Sequence, residues 1–168
     1  DGCNYEDWQI TYVPHGINES HFFPISKDSE GYKSVLDLRK SFLTGKKNKD
    51  VIPEFVFLYN SRNIRRKQTA DIILAYKTFC DKLPKEKAAK CVLVLHTQNG
   101  TNLIEVKDVL CPDYNVTFTN KAFNVHEMNT LYNASDVLIN ISSNEGWGLS
   151  ATEAMMSGIC TIVNMTGG

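Results

Sequence analysis

Short apolar runs alternate along this chain with stretches of helical spacing, and that alternation leaves few folds open. Strands are expected over 9–13, 55–59, 91–96, 115–119, 137–141 and 160–163, and helices over 34–43, 69–83, 103–110, 126–133 and 150–157. This is the βαβ rhythm of an α/β protein, a parallel sheet covered by helices on both faces. Phe55-Val56-Phe57-Leu58-Tyr59 reads as a buried strand, and in the helix after it Ile72, Tyr76, Phe79 and Leu83 share one face. Residues 1–30 read as an irregular opening and 51–168 as the βα core of a single domain, with 44–50 a flexible loop ahead of Pro53. No internal repeat or low-complexity tract interrupts the pattern.

Ligands of an open parallel sheet sit outside the carboxyl ends of its strands. Four charged residues follow strand ends here: Arg62, Lys67, Glu145 and Glu153. The two acids stand eight positions apart around a glycine-bearing turn and a helix start. One on the loop and one on the helix can face a common pocket, where the turn's N–H groups and the helix N-terminus seat an anion. Sugar hydroxyls suit the carboxylates; phosphate suits the helix end. A structural alternative stands beside this, because Ser150-x-x-Glu153 is also a capping box and Glu145 can be an ordinary loop acid. The run Arg65-Arg66-Lys67 is either a solvated face or a phosphate seat, since cations at a helix N-terminus are poorly placed without an anion. His15 reads as a structural hydrogen-bonding residue rather than a catalyst.

The run Glu145-Gly146-Trp147-Gly148-Leu149, followed by Glu153-Ala154-Met155, resembles the E-x(7)-E signature of the retaining, GT-B-fold glycosyltransferases of the group 1 and glycogen-synthase-like families. That signature usually reads E-G-F-G-L-x-x-x-E-A-M, so Trp147 is the departure. Arg62 and Lys67 stand at the spacing of the family's Arg and Lys (67 − 62 = 5), with Ser61 and Gln68 in place of its two glycines. Val13-Pro14-His15-Gly16-Ile17-Asn18, Phe22-Phe23-Pro24, Val116-Thr117-Phe118, Leu131-Tyr132-Asn133-Ala134-Ser135-Asp136-Val137 and the stretch from Gly158 to Gly168 are similar to further family segments, so the likeness spans nearly the whole chain. It implies a Rossmann-like, donor-binding domain, the C-terminal half of a GT-B fold, in an enzyme of hexosyltransferase type. By the resemblance, Arg62 and Lys67 bind the donor diphosphate and stabilise it as it leaves, with Arg65 and Arg66 able to share that work. Glu145 touches hydroxyls of the donor sugar, Glu153 holds the ribose, and the turn Gly146-Trp147-Gly148-Leu149 meets the diphosphate and sugar. The loop at Phe123 and Asn124 lies where the family's backbone contacts the base.

No D-x-D pair of the kind that chelates a metal–diphosphate appears, and fixed Arg and Lys charges can neutralise a departing diphosphate without one. A metal-independent transferase is therefore expected, retaining anomeric configuration as the family does. No cofactor is called for, because the nucleoside diphosphate sugar is a substrate. The acceptor would bind an N-terminal lobe that this chain lacks, so the chain is expected to be a fragment whose main partner is its own missing lobe. A sugar-nucleotide-binding module that senses without transferring, or a flavodoxin-like regulatory domain, are the alternatives. A net charge of −1 argues against nucleic-acid binding, and no apolar run approaches the roughly 20 residues that span a bilayer. The five cysteines form no C-x-x-C pair, and the N-x-S/T sequons at Asn115 and Asn140 fall in or beside strands rather than in exposed loops. Buried thiols in a reducing, cytoplasmic compartment fit that pattern.

Overall fold

The computed structural model describes residues 5–43, 51–98 and 101–166; the expected loop over 44–50, Cys3 and the closing Gly167-Gly168 lie outside them. Five strands, β1 (Phe55–Asn60), β2 (Cys91–His96), β3 (Val116–Thr119), β4 (Val137–Asn140) and β5 (Cys160–Val163), make one sheet in the order β3-β2-β1-β4-β5. Every pairing is parallel, with Phe57 opposite Leu93 and Val137, and Leu95 opposite Phe118. Helix α1 (Tyr32–Ser41) precedes β1; parallel neighbours need crossovers, and α2 (Thr69–Asp81), α3 (Lys85–Ala88), α4 (Thr101–Leu110), α5 (Val125–Asn133) and α6 (Leu149–Met156) supply them. The expected α/β class, with a Rossmann-like parallel sheet, is the one observed.

Successive side chains of a strand point to opposite faces, and the core divides accordingly. Val56, Leu58, Val92, Val94 and Leu138 meet Val35, Leu131, Tyr132 and Ala154, which belong to α1, α5 and α6. Phe57, Tyr59, Cys91, Leu93 and Leu95 meet Ile72, Ile73, Tyr76 and Cys80 of α2. Both faces are thus covered, and the central strands can be apolar throughout. On α2 the buried stripe runs through Ile72, Ile73, Tyr76 and Cys80; Phe79 lies at its edge, 40% exposed, with its ring 5.1 Å from that of Phe57.

A clasp closes the amino ends of the strands. Arg39 of α1 donates to the carbonyls of Pro53 (3.1 Å), Glu54 (3.0 Å) and Ala134 (3.2 Å) and to Asp136 Oδ2 (2.8 Å). The same carboxylate oxygen accepts from the Val56 amide at 2.6 Å. A half-buried guanidinium uses this full set of acceptors to offset its lost hydration.

The strand expected over 9–13 is not formed. Residues 7–9 make a single 3₁₀ turn, and Trp8, Tyr12 and Val13 are each about 80% exposed. Alternation alone does not make a strand; its backbone groups need a neighbouring ladder, and among the described residues none pairs there. Farther on, the segment is anchored by side chains. Asn129 Oδ1 accepts from the Phe23 amide (3.2 Å), and Asn133 accepts from Ile25 N (2.7 Å) and donates to Phe23 O (3.0 Å).

Candidate functional site

The order of strands reverses between β1 and β4, and a cleft of about 760 Å³ opens above that point. Reversal sends the loops after β1 and β4 to opposite sides, leaving a crevice at the carboxyl edge. Asn60 and His96, the last residues of β1 and β2, and Thr119 of β3 line it, together with Arg62, Lys67, Glu145, Trp147, Gly148, Leu149 and Glu153. The four charged residues singled out from sequence therefore share one cavity. Arg66 also lines it, whereas Arg65 faces a smaller neighbouring hollow with Gln68, Asp71 and Ser143.

The basic wall is built by the turn after β1. Residues Arg65–Lys67 form a 3₁₀ turn, after which Gln68 takes a left-handed conformation (φ 52°) before α2 begins. That turn buries Lys67 to 8% exposure and leaves Arg62 exposed, with no carboxylate partner among the described residues. Lys67 Nζ pairs with Glu145 Oε1, which also accepts from Asn140 Nδ2 (3.1 Å) and Ser142 Oγ (3.0 Å). Arg66 reaches across to the Asn144 carbonyl (2.6 Å) and to Glu145 Oε2 (3.3 Å). Burial pushes the Glu145 carboxyl upward, but the hydrogen bonds from Lys67, Asn140 and Ser142 outweigh it and bring its pKa down to about 2. Its Oε2, with one long contact, is the oxygen with capacity left for a hydroxyl.

Glu153 sits in a different environment. Gly148 (φ 81°) is the residue before α6, so Ser150 falls inside the helix and makes no capping bond. The capping-box reading is thereby overturned. The Glu153 carboxylate instead accepts from Tyr132 Oη at 2.6 Å, and that hydroxyl accepts from Asn60 Nδ2 at 2.7 Å. Burial raises the Glu153 pKa, partly opposed by the Tyr132 bond. A capping box does open α5, where Asn124 Oδ1 accepts from Glu127 N (3.0 Å) and Asn124 N donates to Glu127 Oε2 (2.9 Å). The side chain and amide of Asn124 are thus committed to the helix. Asn124, Phe123 and Gly146 lie outside the cleft lining. Phe123 stacks on His96, centroids 5.0 Å apart and planes 4° off parallel, with Lys121 Nζ 5.6 Å from its centroid.

Sequence reasoning passed over His96, Asn60 and Tyr132. His96 hydrogen-bonds through Nδ1 to Thr119 Oγ1 (2.8 Å), and burial lowers its pKa. Its place at the last position of a strand is the signal that marks it. His15, from the irregular opening, lines the cleft and lies 5.7 Å from the Trp147 ring. Among the described residues no three His, Cys, Asp or Glu side chains are grouped so as to hold a metal ion, and no helix is long and apolar enough to cross a membrane.

Comparison with known proteins bears on the family and the fold. A trehalose synthase of Pyrococcus horikoshii is 29% identical over 156 residues, covering 90% of this chain and 38% of that protein. Among solved structures, the C-terminal domain of a group 1 family glycosyl transferase from Francisella tularensis superposes with a TM-score of 0.65 at 19% identity, over 88% of this chain and 70% of that one. Anabaena HepE, solved in complex with UDP and glucose, gives 0.64 at 17% identity, over 91% and 37%. The chain spans about two fifths of the trehalose synthase and of HepE. Residues 44–168, well over half of the chain, match the family described as Glycosyl transferases group 1. The chain belongs to the group 1 glycosyl transferases and has the α/β fold of their C-terminal domain.

Proposed function

We propose that this domain binds a nucleoside diphosphate sugar and forms the donor side of a metal-independent, retaining hexosyltransferase. The observation that carries the reading is the division of one cleft: Arg62, Arg66 and Lys67 on the turn after β1, Glu145 after β4, and Glu153 on α6. Arg62 and Lys67 hold the diphosphate and stabilise its charge as the glycosidic bond breaks, which electrostatic preorganisation does without a metal. Glu153 takes the ribose hydroxyls, and Glu145 orients hydroxyls of the sugar. The acceptor approaches from a second lobe and attacks the face the diphosphate leaves. Relatives that extend well past the matched region support assigning the acceptor to that lobe, and the buried free thiols Cys80 and Cys91 suit a cytosolic setting.

Calorimetric titration with UDP-, GDP- and ADP-sugars identifies the donor. Within the nucleotide so found, Arg62→Ala removes a charge-assisted contact worth roughly 1.5–3 kcal/mol, so the nucleoside diphosphate weakens about tenfold or more while the bare nucleoside is unaffected. An equal loss for both ligands would overturn the assignment of Arg62 to the diphosphate.

A further inference from the structure

Tyr132 is completely buried, yet its hydroxyl ends beside the cleft, between the last residue of β1 and a carboxylate of α6. The direction of this chain of hydrogen bonds is fixed by what each group can give. An amide nitrogen only donates, so Asn60 Nδ2 occupies a lone pair of the phenol oxygen, and the single phenol hydrogen is left for Glu153 Oε2. Glu153 Oε1 has no hydrogen-bond partner among the described residues. One oxygen is anchored by the phenol, and the other keeps its acceptor capacity whole on a residue that lines the cleft.

From this arrangement we infer that Tyr132 is a positioning residue for nucleotide recognition: acting through Glu153, it holds that carboxylate aimed at the vicinal hydroxyls of a ribose. The inference rests on the donor-cleft reading above and extends it to a side chain that meets no ligand. The phenol is well suited to the task. Its ring is wedged in the core, 5.9 Å from the Phe22 ring and steeply tilted to it, so the hydroxyl is delivered by packing rather than by a flexible side chain. Burial favours the neutral form of Glu153, and the Tyr132 bond is what opposes that. Without the hydroxyl, the half-buried carboxyl would keep its proton more readily and lose its fixed rotamer. A carboxyl without a fixed rotamer is a poor acceptor for a diol.

The test compares the nucleoside diphosphate bound most tightly among UDP, GDP and ADP with its 2′,3′-dideoxy analogue, by calorimetry on the full chain. Wild-type protein is expected to prefer the ribose form. Tyr132→Phe keeps the ring and its packing, and should reduce that preference roughly fivefold while binding of the dideoxy analogue and of inorganic pyrophosphate stays constant. Tyr132→Phe added to Glu153→Gln should change the preference no further, because residues acting through one another are not additive. A purely structural tyrosine would instead weaken all three ligands alike. If wild type prefers the ribose form and Tyr132→Phe preserves the preference, the positioning role is wrong and the donor cleft stands. If wild type shows no ribose preference, the reading of the cleft itself is wrong, and the inference falls with it.

Discussion

Glu145 and Glu153 carry the same functional group on one cleft, yet their surroundings push them in opposite directions. Glu145 is held near 2 by Lys67, Asn140 and Ser142 against the effect of burial, while Glu153 is raised by burial. A carboxylate whose folded pKa is depressed binds fewer protons folded than unfolded, so its stabilisation is fully present above the ordinary value of 4.5 and is lost as pH falls toward 2. Denaturant titrations from pH 7 to pH 2 should show that loss in the wild type. The Glu145→Gln variant should be less stable at neutral pH and show a shallower decline in that window; parallel curves would sink the assignment. The residue types and the spacing of both acids were legible in the sequence. What decided between cap and cleft for Glu153 was a hydroxyl 21 positions upstream, and in sequence Tyr132 reads as one more large side chain of an amphipathic helix.

The two turns that carry the site use left-handed backbone with opposite economy. Gly148 occupies φ 81° where an added Cβ would meet nothing within 4 Å, whereas Gln68 occupies φ 52° with a side chain attached. For an L-residue that region costs roughly 1–2 kcal/mol. Gly148→Ala incurs that cost, recovers about 0.5–1 kcal/mol of chain entropy, and should therefore destabilise by up to about 1.5 kcal/mol. Gln68→Gly relieves a similar cost but adds about 0.5–1 kcal/mol of chain entropy, a net gain of up to about 1.5 kcal/mol, or at most some 3–6 °C. Thermal melts of the two variants should move in opposite directions, and a shared direction would refute the argument. Five of the six expected strands formed, because each finds at least one parallel neighbour to complete its ladder. The segment 9–13 had the pattern but no ladder, which is decided by residues far away in sequence. The 3₁₀ turn Arg65–Lys67 and the four-residue α3 are too short to register as a period.

At the scale of the whole molecule, the proposed function makes the cleft one wall of a reaction chamber. Transfer needs a second wall that excludes water and brings the nucleophile to the sugar, so this chain alone should bind the donor without turning it over, and a chelator should leave that affinity unchanged. Detectable glycosyl transfer by the isolated chain would contradict the first expectation, and loss of binding in EDTA the second. The Arg39 clasp gives the molecule a further asymmetry. One end of the sheet is pinned by a side chain that satisfies three carbonyls and a carboxylate at once, while the other end finishes in turns and exposed charges. Amide protons near the clasp, Val56 first among them, would exchange with deuterium only through global opening, and those along the cleft through local opening. A bound nucleotide would therefore write its footprint at the fast-exchanging end and leave the slow end nearly unchanged, so the exchange map alone would reveal which half of the domain is anvil and which is hand.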